Sequence, residues 1–181
     1  NRHSADLTAR AALGASTWLG LGVAAVLLAG AGQLLLWMNA PAPVLALGQP
    51  YLQALALSLL LDAYNASMAS VMRAHMRTRD VMVNILCMHG VHLLLCVPLM
   101  RGWGPIPALG LVGFAVGLAA SRAFGLVMHL LLWRWRLKLH PSPRDWWIVH
   151  WRRLAPVLHI GLPGAAENVA YRIAMLGSLA V

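Results

Sequence analysis

The stretch Val44–Asp80, VLALGQPYLQALALSLLLDAYNASMASVMRAHMRTRD, decides the fold. From Val44 to Met72 a single formally charged side chain occurs, Asp62. At ~1.5 Å per residue, this run crosses a ~30 Å hydrocarbon layer with tilt to spare. It ends in a burst of charge, Arg73-Ala74-His75-Met76-Arg77-Thr78-Arg79-Asp80. A carboxylate at the centre of a span costs roughly 2.5–3.5 kcal/mol to insert. Asp62 is therefore expected to face the protein interior or a wet cavity.

The rest of the sequence has the same character. Hydrophobic residues make up 60% and charged residues 10%, and mean hydropathy is +0.70. Soluble domains carry about 25% charged residues. The net charge of +9 does not point to nucleic acid, because the basic residues sit between apolar runs and form no polar face. No signal peptide is legible. Without an initiator methionine, and with apolar residues from Ala174 to Val181, the sequence is expected to be an internal piece of a longer chain. Cys87 and Cys96 would lie on opposite helix faces, ~13.5 Å apart along the axis, so they cannot pair.

Working outward, four spans are expected, at about 10–38, 44–72, 81–100 and 108–133. Ser4 and Asp6 are placed to cap the first. Asn39-Ala40-Pro41-Ala42-Pro43 and Arg101-Gly102-Trp103-Gly104-Pro105-Ile106-Pro107 are turns. Pro98 is expected to end or kink the third helix. Gly113, Gly117, Ser121 and Gly125 recur at steps of four in the fourth, a ridge suited to close helix approach. Ser142 followed by Pro143 is a helix-start signal. The following segment to Leu154 mixes Trp146, Trp147 and Trp151 with Arg144, Arg152 and Arg153. That mix fits a helix in the headgroup region or a basic loop with interfacial tryptophans. A fifth span is expected from about 155, irregular at Gly161-Leu162-Pro163 and containing Glu167.

Residues 1–10, 73–79 and 134–153 hold eleven of the fourteen Lys and Arg; the intervening turns hold only Arg101. The positive-inside rule places those three segments in the cytoplasm. The fold class is an all-α, polytopic helical bundle integral to the plasma membrane, the inner membrane of a bacterium.

Several local patterns, in order, resemble the multidrug and toxic compound extrusion (MATE) family. One is Pro50-Tyr51-Leu52, with Asn65 fourteen and Arg73-Ala74 twenty-two residues past Tyr51, then Thr78-Arg79 and Met82. A second runs from Gly104-Pro105-Ile106-Pro107 to Gly113, followed by Ser121-Arg122. A third is Ile160-Gly161-Leu162-Pro163, with Glu167 four residues after the proline. The resemblance implies the third to sixth helices and the start of the seventh in a twelve-helix, two-lobed, monomeric antiporter. Residues 1–138 would then belong to the first lobe, 139–154 to the linker and 155–181 to the second lobe. It further implies export of hydrophobic or cationic small molecules in exchange for H⁺ or Na⁺, with membrane lipid around it and no other cofactor. The sequence departs from the family at Met76-Arg77, where Gly-Asp is common. It departs again at His92 and Cys96, where many members carry an Asn and Asp that hold the coupling cation.

Asp62 shares a helix face with Ser58, Asn65 and Ala69. It is either a proton-coupling group or a structural carboxylate held by Arg122 or by hydroxyls. Arg122 is expected to pair or snorkel. Glu167, one turn past Pro163, is either a second coupling site or a hydrated packing carboxylate. Asn65, Asn84, His92, Cys96 and Arg122 are candidate cavity-lining residues. His92 is either a titrating cavity group or a satisfied interior histidine. His89, His92 and Cys96 share a face, but 89 and 96 are ~10.5 Å apart along the axis, so no metal is expected. Two other functions compete with antiport. A flippase for lipid-linked precursors would need a strongly cationic cavity, for which only Arg122 and Arg172 are available. An intramembrane enzyme would need a paired nucleophile and base, and none stands at useful spacing.

Overall fold

A computed structural model describes residues 2–39, 41–103, 107–149 and 155. The expected fifth helix past Ala155, with Gly161-Leu162-Pro163, Glu167 and Arg172, lies outside the described residues. Four long helices form: α1 (Arg2–Trp37), α2 (Ala42–Ala74), α3 (Thr78–Arg101) and α4 (Gly110–Leu132). Each is long and apolar enough to cross a membrane. The chain is an all-α integral membrane bundle.

The helix ends follow from local chemistry. Asn39 turns left-handed at φ 53°, and Pro41 then caps α2 in extended conformation. Pro50 lies inside α2 rather than in the turn before it, as a spanning helix can tolerate. Met76 takes φ 59°, and the amides of His75, Met76 and Arg77 return to the carbonyls of Val71, Met72 and Arg73. Those bonds satisfy the last carbonyls of α2. Pro98 does not end α3, which runs one turn further. It closes where Gly102, at φ 75°, donates its N–H to Pro98 O at 3.0 Å. α4 starts two residues later than expected. The Leu109 N–H is drawn to Leu99 O at 3.0 Å, and Gly110 supplies a positive φ of 55°. α1 is already helical at Arg2, so Ser4 and Asp6 lie within its first turns rather than ahead of them.

Two antiparallel hairpins, α1–α2 and α3–α4, are joined where α2 meets α4. α2 and α4 run parallel: Ser58 meets Ala115, Asn65 meets Arg122 and His129, and Trp133 Nε1 donates to Met68 O. The ridge on α4 packs against α3. A Cβ on Gly113 would strike the Leu99 carbonyl, one on Gly125 would strike the Met88 thioether, and Gly117 lies against the Cys96 backbone. The deepest apolar core lies at the basic end, where Leu13, Met68, Met72, Val81, Trp133 and Leu139 come together. The outward faces remain apolar: Leu19, Val26, Leu57, Leu86, Leu93 and Leu94 are all exposed. Such faces suit lipid rather than water.

Beyond α4 the helix widens into a π turn, Trp133–Leu137, closed by Lys138 in left-handed conformation. The wide turn lets Trp133 and Leu139 both reach the core while Arg134, Trp135 and Arg136 stay exposed. The chain then doubles back. A single 3₁₀ turn forms at Pro143–Trp146, with Ser142 N–H donating to Asp145 Oδ2 at 2.7 Å. Asp145 lies 3.7 Å from Arg10. Of the two readings of this segment, the described part takes the loop with interfacial tryptophans; 150–154 lie outside the described residues. The turn leans on the first hairpin and does not run on as a helix. Thr17 Oγ1 lies 2.5 Å from the Trp146 carbonyl, and Trp18 Nε1 donates to Trp147 O at 3.0 Å. The Trp146 ring meets Tyr64 edge-on at 4.9 Å. Gly14 admits the Ile148 carbonyl where any Cβ would collide with it.

Candidate functional site

The seam between α2 and α4 carries four of the seven buried polar residues of the described interior, Ser58, Asn65, Ser121 and His129. It begins at Ser58, fully buried, whose hydroxyl lies 3.5 Å from Ala115 O. One turn on, Arg122 Nε lies 2.9 Å from Asp62 Oδ1. The arginine side chain is 19% exposed and the aspartate 41%. The N–H is not aimed along that line, so the contact is an ion pair rather than a directed hydrogen bond. The arginine expected as a partner for Asp62 is thus beside it. The same geometry leaves one side of the carboxylate open.

A further turn towards the basic end, three side chains from three helices converge. Asn65 Nδ2 donates to Leu61 O at 3.0 Å and to Arg122 O at 2.9 Å. Both of its protons are then used, so Oδ1 is the acceptor that faces His129 Nδ1 at 2.9 Å. That assignment places the ring proton on His129 Nδ1. Asn84 Nδ2, from α3, lies 2.9 Å from the same Nδ1 and 3.1 Å from Gly125 O. A protonated Nδ1 cannot accept, so the Asn84 amide donates to Gly125. Asn84 Oδ1 and His129 Nε2 are buried without partners among the described residues. Both are acceptors in this arrangement, and each lacks a donor. Burying such groups unpaired costs about 1–3 kcal/mol each. The cluster can therefore take a water, a proton or another donor into the interior.

Asp62, Asn65, Asn84 and Arg122 are thus gathered along one seam. His92 and Cys96 are not. They lie further along α3, His92 edge-on to Phe114 at 4.8 Å and Cys96 Sγ 3.3 Å from Met100 Sδ. His92 Nε2 is buried without a partner among the described residues. His89 is exposed, and no group of three His, Cys, Asp or Glu among the described residues could hold a metal ion. Glu167 lies outside the described residues. His129 was missed in the sequence. Its signal was there: the step of four through 113, 117, 121 and 125 lands next on 129, and all five positions are buried.

A lipid-facing bundle with a polar seam along its centre defines the class, a polytopic α-helical membrane protein. A family model described as MatE matches residues 1–97, more than half of the chain, and the chain belongs to that family. It is also similar to an "Uncharacterized transporter YisQ" of Bacillus subtilis (strain 168), 23% identical over 164 residues. That alignment covers 91% of this chain and 36% of the relative, so the chain spans little more than a third of the length of the protein it matches. No solved structure matches.

Proposed function

We propose that the chain is part of a secondary active transporter, an antiporter that exports hydrophobic or cationic small molecules in exchange for H⁺ or Na⁺. Membership of the MatE family and the likeness to a protein described as a transporter support transport over catalysis. The observation that carries the reading is the α2–α4 seam. A membrane subunit with a purely architectural role has no need of Asp62, Arg122, Asn65, Asn84 and His129 in its spans, where polar groups are expensive. On this reading, protonation of Asp62 cancels its attraction to Arg122 and loosens the seam. The bulk of the basic sequence lies at one end of the bundle, which the positive-inside rule puts in the cytoplasm.

Proton coupling fits the seam better than Na⁺ coupling through α3. His92 and Cys96 offer nitrogen and sulfur and no fixed negative charge, which suits Na⁺ poorly. The flippase alternative is less well supported, because Asp62 offsets Arg122 and the described seam carries no surplus positive charge. Efflux of a fluorescent cation by the full-length protein tests the proposal. Asp62→Asn should cut efflux at least tenfold at parental expression, with Glu167→Gln as a companion variant. Parental rates in both would remove these acids from the cycle. In proteoliposomes, export driven by a Na⁺ gradient at fixed pH and abolished by His92→Ala would overturn proton coupling.

A further inference from the structure

At the basic end a cavity of about 490 Å³ opens between the first turn of α3 and the end of α4. Its charged lining comes from Arg77, Arg79, Asp80 and Arg136; its apolar lining includes Val83, Met128 and Leu132. Among the described residues one ion pair crosses it, Asp80 Oδ2 to Arg136 Nε at a long 3.8 Å. Among the described residues neither Arg77 nor Arg79 has an ion-pair partner. The cavity thus keeps a surplus of two positive charges over an apolar wall. Trp135, 69% exposed and next in sequence to Arg136, marks the level of the headgroups, where tryptophan concentrates.

We infer that this cavity binds the phosphate of an anionic phospholipid, with the arginines on the phosphate oxygens and the start of an acyl chain against Val83, Met128 and Leu132. Three considerations point the same way. Arginine presents N–H groups in a planar fork that matches phosphate oxygens. Unpaired arginines at the membrane surface attract anionic headgroups. A soluble phosphate would use the charged rim and leave the apolar wall wet, whereas a lipid covers both. The inference rests on the membrane location and this geometry, not on the transport reading, and it uses none of the α2–α4 ion pair.

The test is native mass spectrometry of the full-length protein in neutral detergent. It is titrated with phosphatidylglycerol, with phosphatidylcholine of the same acyl chains, and separately with inorganic phosphate. Each surface arginine contributes about fivefold to anionic lipid binding. The double variant Arg77→Gln/Arg79→Gln should therefore weaken phosphatidylglycerol binding about 25-fold and leave phosphatidylcholine unchanged. The exposed positions of both arginines make loss of fold an unsuitable explanation, and Arg77→Lys/Arg79→Lys should retain most of the affinity. Arg101→Gln, at the other end of α3, should have no effect. Unchanged phosphatidylglycerol binding in the double glutamine variant would overturn the inference. So would equal losses for both lipids. Displacement of phosphatidylglycerol by inorganic phosphate at equal concentration would assign the cavity to a soluble phosphate and overturn the lipid source.

Discussion

Replacing Arg122 by glutamine removes the only charged partner of Asp62 among the described residues. The carboxylate then stands alone within a span. An uncompensated charge at that depth costs roughly 2.5–3.5 kcal/mol, and removing one member of a buried pair costs about 3–5 kcal/mol. Asp62 is 41% exposed at the surface of the bundle, so the lower end applies, about 2.5 kcal/mol. That corresponds to a ~70-fold fall in the folded-to-unfolded ratio, with RT about 0.59 kcal/mol. Asp62→Asn strands the arginine and should cost a similar amount, somewhat eased because a long side chain can snorkel. The double variant Asp62→Asn/Arg122→Gln removes both charges and keeps similar shapes, so it should lie close to the parent. A double-mutant cycle on the full-length protein, by reversible unfolding in mixed lipid and SDS micelles, should give a coupling energy of about 4–5 kcal/mol, because both single costs vanish together in the double variant. Additivity of the two single variants within ~0.5 kcal/mol would refute the pairing.

Three further outcomes follow from the packing. Gly113→Ala should cost about 1–3 kcal/mol, because its Cβ meets the Leu99 backbone carbonyl, while Gly125→Ala should cost less, because the Met88 side chain it meets can turn; thermal unfolding of the two variants in one detergent compares them. His129→Leu leaves Asn65 Oδ1 without its donor and should destabilise by about 1–3 kcal/mol. His129→Gln should recover part of that in the same assay. Single cysteines at Ala42 and Arg77, introduced after removal of Cys87 and Cys96, should react with an impermeant reagent from opposite sides of the membrane. Equal labelling in whole cells would contradict the topology.

The spans were legible because charge-free length is a one-dimensional property. Their positions needed only composition and the loop arginines. The Asp62–Arg122 pair was readable as one of two options, since each is costly alone in a membrane and each is the obvious remedy for the other. The α4 ridge was visible as a step of four, but its last member was not, because a histidine near a basic end resembles an ordinary polar flank. Its partners, Asn65 and Asn84, lie 64 and 45 residues away, and no local pattern gives the register that brings them together. The doubling back after α4 was not legible for a related reason. Tryptophans among arginines signal an interface, but the docking of Trp146 on Tyr64 and of Ile148 on Gly14 depends on a surface that exists only after α1 and α2 have packed.

The parallel contact of α2 with α4 also sets an order of events during synthesis. Asp62 enters the membrane with the first hairpin, and its partner is added about sixty residues later. At 5–20 residues per second, that interval is about 3–12 s. Throughout it the first hairpin must hold the acid without this arginine, and the flanking apolar residues of α2 have to carry it. The second hairpin does more than add mass to the lobe: its arrival supplies the missing charge. Until then Tyr64 and Thr17 are also without Trp146, which is made later still. A ribosome stalled between Asp80 and Arg122 would leave a hairpin inserted but unfinished, with its most polar side facing whatever helices or chaperones lie nearby.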